Sequence, residues 1–459
     1  MSRGSVVVIG GGLAGIAAAL DCAREGAEVT LLEARGRLGG AAYSFNRGEL
    51  VVDNGQHVFL RCCSAYQELL GQLDASALVA LQPRLEVPVL APGGRLGWLR
   101  RSPLPAPLHL AASLLRYPYL GMRERLALAW AMQRLRAVDI DDPANDAISF
   151  GDWLRRHRQT PRAVEAIWEL IVRPTINLTV DEASLAQAAQ VFQVGLLGDA
   201  DAGDIGWAAV PLGEIHDVHG RAALEAAGVS VHLRSTAQTI LRVMTPDAPL
   251  SFQVEASDGF SGNADAVVLA LPPAQTAQLL PAQSALAPDW AERLGSSPII
   301  NLHVVYDRRV LEHPFAASVD SPVQWVFDRT AGSGLADGQY LAVSLSAAGE
   351  ELHATAEELQ ARYLPALAEL LPAAADAEVR EFFVTREHAA TFRAAPGARA
   401  WRSGPCTDMP GLVLAGAWTD TGWPATMEGA VRSGHAAARE AMAMVAGVTH
   451  EPARAAVEV

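Results

Sequence analysis

Short apolar runs broken by glycine and proline organise this chain. Residues 6–9, Val-Val-Val-Ile, suit a strand buried on both faces. Gly10-Gly11-Gly12-Leu13-Ala14-Gly15 follows, then a helix of small residues, then Val29-Thr30-Leu31-Leu32-Glu33. The pattern predicts strand, glycine turn, helix, strand and acid. Gly10 permits the tight turn, and Gly12 lets the backbone approach a pyrophosphate. Gly15 lets the helix lie close to the sheet, with the first helical N–H groups, around Leu13 and Ala14, aimed at the phosphates. Glu33 ends the second strand where a carboxylate grips a ribose 2′-hydroxyl and repels a 2′-phosphate. The unit predicts an adenine dinucleotide, FAD or NAD, and disfavours NADP.

Farther along, the character changes twice. Pro103-Leu104-Pro105-Ala106-Pro107-Leu108-His109-Leu110 leads into a Leu- and Tyr-rich stretch, then a helix over about 123–137. Helices are expected at 153–157, at 163–172 and from Asp181-Glu182. From Gly228 short strands return at 229–233, 236–243 and 252–256, and a buried strand in 264–271 ends at Pro272-Pro273. Strands near 297–306, 323–328 and 340–346, a helix at 354–371 and a strand at 380–385 predict a second sheet and its cover. Leu412-Val413-Leu414-Ala415-Gly416 is a last buried strand running into glycine. Pro424-Ala425-Thr426-Met427 opens another small-residue helix. The tail after Val448 is expected to be flexible.

Composition narrows the chemistry. A formal net charge of −15 argues against nucleic acid as a partner. All 36 cationic side chains are arginine, so no Schiff base and no lysine base is available. Cys22, Cys62, Cys63 and Cys406 show no metal-ligand spacing, and no metal is expected. The first strand begins almost at once, with no leader pattern before it, so a reduced cytoplasmic setting is the default expectation. The stretch at about 103–137 is too short and too broken to span a bilayer. Its Leu, Tyr and Trp content with flanking arginines suits a lid on its own domain, alone or with peripheral contact to the inner face of a membrane.

Two further motifs carry a resemblance. Glu33-Ala34-Arg35-Gly36-Arg37-Leu38-Gly39-Gly40 runs past the acid into a second glycine turn, and residues 412–430 join strand, glycine and helix start. Both resemble the flavin signature of the amine oxidase and phytoene desaturase superfamily. The resemblance implies FAD, held by Gly10, Gly12, Leu13, Ala14, Gly15, Glu33, Ala34, Arg35, Gly39 and Gly40. It adds Gly55, Gln56 and His57 beside the flavin ring and the backbone near Ala237 at the adenine. Gly416, Asp420, Ala425, Thr426 and Met427 complete the set, the last with a helix N-terminus facing the ring. The implied fold is α/β (α+β overall). A Rossmann-type FAD-binding domain (1–85, 206–273 and 386–447) is interleaved with a substrate domain of mixed sheet and helical lid (86–205 and 274–385), with a flexible tail at 448–459.

Asp53-Asn54-Gly55-Gln56-His57, the 104–110 run, Gln324-Trp325-Val326-Phe327-Asp328-Arg329 and residues 415–426 resemble the hydroxysqualene dehydroxylase family, squalene-associated FAD-dependent desaturases, over nearly the whole chain. Two places depart from its pattern: Ala41 where an arginine follows the glycine pair, and Gly213-Glu214-Ile215-His216 where a Phe-Pro pair is usual. Asn301 stands where the amine oxidases hold a lysine near the flavin, which disfavours amine oxidation. The family implies reductive removal of a hydroxyl from an allylic alcohol of a long apolar isoprenoid, giving squalene. A protonated hydroxyl leaves as water and reduced flavin supplies hydride. The electron donor is left open. Candidate acids are Asp420, His57, Asp328 and His303; Asp420 also suits a flavin ribityl hydroxyl, and Asp328 suits an ion pair with Arg329. Strand alternation puts Asn301 and His303 on one face, a candidate cavity wall together with Trp325 and Trp418. A carotenoid-type desaturase and a non-catalytic flavin- or isoprenoid-binding protein are the alternatives.

Overall fold

The computed structural model describes residues 4–243, 251–281, 284 and 286–447; the expected flexible tail lies outside the described residues. A five-stranded parallel sheet has the order Ser230–Leu233, Glu28–Glu33, Ser5–Ile9, Ala266–Leu269, Leu412–Leu414. The continuous apolar run of the first strand has its physical reason here. Val6 and Val8 face the helices Leu13–Arg24 and Met427–Val445, while Val7 and Ile9 face the opposite core. The two helices meet through small residues, and a Cβ on Gly434 would sit 2.2 Å from the Ala14 carbonyl oxygen. All five strands run the same way, so their carboxyl ends, at Gly10, Glu33, Leu233, Ala270 and Ala415, gather along one crevice.

A seven-stranded mixed sheet has the order Val379–Phe392, Ser296–Tyr306, Gln339–Ser346, Trp325–Asp328, Phe315–Ser318, Glu86–Ala91, Arg95–Arg100. One face is closed by the helix Ala356–Leu370, whose Leu359, Tyr363, Leu367 and Leu370 pack with Ile300, Leu302 and Leu341. The hairpin Glu86–Ala91 and Arg95–Arg100 was not anticipated as part of this sheet, although Pro92-Gly93-Gly94 between two extended runs is a turn signal. The strand expected at 380–385 extends from Val379 to Phe392, through the domain boundary drawn at 385.

The lid helices Met122–Leu135, Phe150–Arg156, Glu169–Ile176 and Leu185–Phe192 surround Trp153, Trp168, Phe150 and Phe192. The helix expected from Asp181-Glu182 starts instead at Leu185. The Ser184 hydroxyl accepts the Gln187 N–H as its cap, and Glu182 is held by Thr179 and Arg393. The helix expected at 163–172 is interrupted by a π-helical turn, Val164–Trp168. Among the described residues no helix is long and apolar enough to cross a membrane.

Candidate active site

At the sheet's carboxyl edge, Glu33 is 8% exposed and accepts the Gly11 N–H on Oε2 and the Arg35 N–H on Oε1, each at 2.7 Å. Backbone donors therefore fix its carboxylate at the crevice. The two glycine turns touch: the Gly39 N–H donates to the Gly11 carbonyl at 2.9 Å, and a Cβ on Gly40 would lie 2.8 Å from Gly12 Cα. Gly12 caps the helix Leu13–Arg24 without a side chain, so the N–H groups of Leu13 and Ala14 have no capping side chain. The Ser235 and Arg234 N–H groups donate to the carbonyls of Glu33 and Arg35, bringing the segment before Ala237 to the same rim, where the buried Ser235 hydroxyl has no partner. Across the crevice the Gly416 N–H donates to Ser433, and the Thr426 hydroxyl takes the Gly429 N–H while Met427 opens the helix behind Ala425. An uncapped helix start, a glycine-only cradle and a fixed carboxylate are the donor and acceptor set that an adenine dinucleotide needs.

The strand Leu50–Asp53 delivers Asn54, Gly55, Gln56 and His57 to the same region. Asn54 is the knot. Its side chain donates to the Ala41 carbonyl and to Glu387, each at 2.9 Å, and accepts the Tyr43 N–H at 3.1 Å. Its carbonyl accepts Asn301 Nδ2 and Thr385 Oγ1, both at 3.1 Å. Asn301 Nδ2 and His57 Nε2 each lie 3.4 Å from where a Gly55 Cβ would sit, so both side chains flank the Gly55 backbone. Asn301 Oδ1 and Gln56 Nε2 are buried without partners. His57 makes no hydrogen bond to another described residue. Burial, and then the Arg329 charge, push its pKa down to about 4, so its ring is neutral near pH 7.

The other expected residues fall differently. Asn301 and His303 do share a strand face, but His303 is closed off. Its Nδ1 meets Tyr340 Oη at 2.6 Å, its Nε2 meets Thr385 Oγ1 at 3.0 Å, and its ring stacks on Phe383 at 4.5 Å. Burial pushes its pKa down to about 3, so neither ring nitrogen is left for a substrate. Asp328 is not paired with Arg329. It accepts the Thr330 N–H and hydroxyl and, at 2.7 Å, Gln339 Nε2, and so closes a turn. Arg329 instead donates to Asp53 at 2.7 Å. Asp420 faces Arg399 at 3.4 Å and Arg402 at 3.9 Å. Trp418 is buried against Trp290, its Nε1 donating to the Leu271 carbonyl at 2.9 Å. Trp325 is half-buried and lines a cleft of about 520 Å³ between the lid and residues 318–325, and donates to the Leu170 carbonyl.

Sequence reading missed the support behind these groups: the Asp53–Arg329 pair, Asn54 with Thr385 and Glu387, and Arg402, whose guanidinium binds the carbonyls of Trp418, Thr419 and Trp423. Only Asp53-Asn54 ahead of Gly55 offered a signal, because the partners Arg329, Thr385 and Glu387 lie hundreds of residues away and Arg402 is held by carbonyls, which any residue carries.

A family model described as flavin containing amine oxidoreductase matches residues 13–442. The chain is 30% identical to a hydroxysqualene dehydroxylase of Rhodopseudomonas palustris over 95% of this chain and 97% of that one. It is 23% identical to a zeta-carotene desaturase of Synechocystis over the same shares. Among solved structures, the cyclohexylamine oxidase of Brevibacterium oxydans superposes with a TM-score of 0.70 at 18% identity, covering 97% of this chain and all of that one. That likeness speaks to the fold alone.

Proposed function

The chain belongs to the flavin-containing amine oxidoreductase family, and from that premise we propose that it removes the hydroxyl of hydroxysqualene reductively to give squalene. Its coarser class, an FAD-dependent oxidoreductase of isoprenoid metabolism, follows from the family and its relatives. The observation that carries the finer reading is the near-full-length likeness to dehydroxylases, at 26–30% identity against 23% for a desaturase over a similar share of the chain. The absence of lysine from the whole chain and the amide at Asn301 weigh against amine oxidation.

Once reduced by an external electron donor, a bound flavin would supply the electron pair as hydride. The net change replaces a carbon–oxygen bond by a carbon–hydrogen bond, consumes one proton at the hydroxyl and releases water. The chain's own residues bind, orient and deliver the proton. Glu33 and the paired glycine turns hold the dinucleotide. Asn54, fixed from four sides, holds the Gly55–His57 segment in register with Asn301. His57, with no protein partner on its ring, is the group placed to hand a proton to the allylic hydroxyl oxygen. The site must also exclude water from the cation left when the hydroxyl departs.

The test is anaerobic. The flavin of the purified protein is reduced and hydroxysqualene is added. Reoxidation with one squalene per flavin supports the reading. A flavin that stays reduced, with a longer conjugated chromophore appearing when a less desaturated polyene precursor is supplied to the oxidised protein, moves the assignment to a desaturase.

A further inference from the structure

The lid carries an outer face that nothing in the described chain covers. Of the ten exposed large apolar side chains among the described residues, six lie between residues 104 and 130: Leu104, Leu108, Leu115, Met122, Leu126 and Trp130. On the helix Met122–Leu135 they are not scattered. Leu128, Ala131 and Leu135 turn inward, while Met122, Leu126 and Trp130, spaced by four, form a stripe on the outer side. Leu126 is 65% and Trp130 53% exposed, the Trp130 ring resting on one side against His157 at 5.3 Å and open on the other. Arg125 reaches back to the carbonyls of Leu115 and Tyr117, which ties the end of the helix Ala111–Arg116 to the helix that carries the stripe.

The charge of this segment is opposite to that of the chain. Residues 95–136 hold eight arginines and one acid, Glu124, in a protein of formal charge −15. Arg116, Arg123, Arg134 and Arg136 are exposed and pair with no carboxylate among the described residues, whereas most arginines elsewhere do. Unpaired guanidinium groups around an apolar stripe suit an interface whose outer layer is anionic and whose inner layer is hydrocarbon.

We propose that the outer face of residues 104–136 docks on the surface of an anionic lipid bilayer, with Leu104, Leu108, Leu115, Leu126 and Trp130 inserted among the acyl chains and the four unpaired arginines at the headgroups. A second copy of this chain fits the face less well, because a two-fold contact would bring these arginines against one another. The surface stands on its own exposure and charge and does not depend on the dehydroxylation reading. That reading adds a reason for it: a substrate of thirty carbons with one hydroxyl resides in hydrocarbon, and docking places the lid against its reservoir.

The experiment is flotation of the flavin-loaded protein with vesicles of phosphatidylcholine containing phosphatidylglycerol, and with phosphatidylcholine alone. Binding is expected to the first, weaker binding to the second, and loss in high salt. Two combined variants follow, Leu115→Ser/Leu126→Ser/Trp130→Ser and Arg116→Gln/Arg123→Gln/Arg134→Gln/Arg136→Gln. Each is expected to lower vesicle affinity by at least about tenfold while retaining flavin and turnover of detergent-dispersed substrate. No binding, equal binding by the variants, or equal binding to both vesicles overturns the proposal. So does a wild-type dimer in solution that the apolar variant converts to monomer, since the face then belongs to a second copy. Failure of hydroxysqualene to react, with flotation as expected, overturns the substrate reading and leaves the docking face standing.

Discussion

Arg329 donates from Nη2 to Asp53 Oδ2 at 2.7 Å, joining the end of the strand Trp325–Asp328 to the strand that delivers Gly55 and His57. Both side chains are buried, 13% and 5% exposed. Asp53 also accepts the Ser44 hydroxyl at 2.6 Å and the Leu212 N–H at 2.9 Å, so the pair is a junction of four segments. Arg329→Leu leaves that carboxylate buried without its cation, at a cost of about 3–5 kcal/mol. The same substitution removes the charge that disfavours protonation of His57. The expected result is a lower denaturation midpoint together with a His57 pKa that rises, read by NMR titration. An Arg329→Leu/Asp53→Leu double variant should recover much of the stability. A single variant as stable as wild type removes the junction from the account.

Glu33 is held by two backbone donors before any ligand is considered. Glu33→Ala leaves the Gly11 N–H without its buried acceptor and takes the carboxylate from the crevice. Flavin content after purification should fall at least about tenfold, the loss of a charge-assisted hydrogen bond worth roughly 1.5–3 kcal/mol. Glu33→Gln, which keeps the acceptor oxygen without the charge, should fall between the two. Unchanged flavin content in the alanine variant would remove Glu33 from the dinucleotide site.

Gly40 sits at φ +57 with Gly12 Cα only 2.8 Å from where its Cβ would be. Gly40→Ala is strained in the left-handed region by about 1–2 kcal/mol and pushes the two turns apart as well. The expected outcome is a folded protein, by circular dichroism, that loses flavin on gel filtration. Gly26→Ala is the control: Gly26 has φ +94 but open space around it. It should cost stability of the same order and leave flavin bound.

The nucleotide half was legible because its signals are local. A run buried on both faces, glycines where backbones touch and an acid at a strand end each follow from a few neighbouring residues, and the structure places Gly12 against Gly40 and Glu33 at the rim. The reacting side was not legible in the same way. His303 looked available because strand alternation puts it on the face of Asn301, yet Tyr340 and Thr385, 37 and 82 residues away, occupy its nitrogens. Asp328 and Arg329 are neighbours in sequence, but a strand end sends them apart, one to Gln339 and the other to Asp53. The helix start at Leu185 followed a serine cap rather than the acidic pair that precedes it. In each case a long-range or capping hydrogen bond decided what pattern alone left open.

The pH dependence ties the proton donor to the fold. His57 is held near 4 by burial and by Arg329, and its neighbour His216 is itself held near 4 by burial. If His57 delivers the proton, the reactive imidazolium grows about tenfold for each unit that pH falls from 8 toward 5. Single-turnover reoxidation should therefore accelerate as pH falls. Stability moves the other way. His57, His216 and His303 have folded pKa values below the unfolded value of 6.5, so the unfolded chain takes up protons first. Their contribution is full above pH 6.5 and is lost as pH drops through the folded values near 4 and 3. The expected profile is a rate that climbs to about pH 5.5 and then collapses with the unfolding midpoint. His57→Gln should flatten the climb while leaving the collapse, because His216 and His303 remain. A wild-type rate that is flat from pH 8 to 5.5, with thermal midpoints showing the protein folded throughout, would assign the proton to another group.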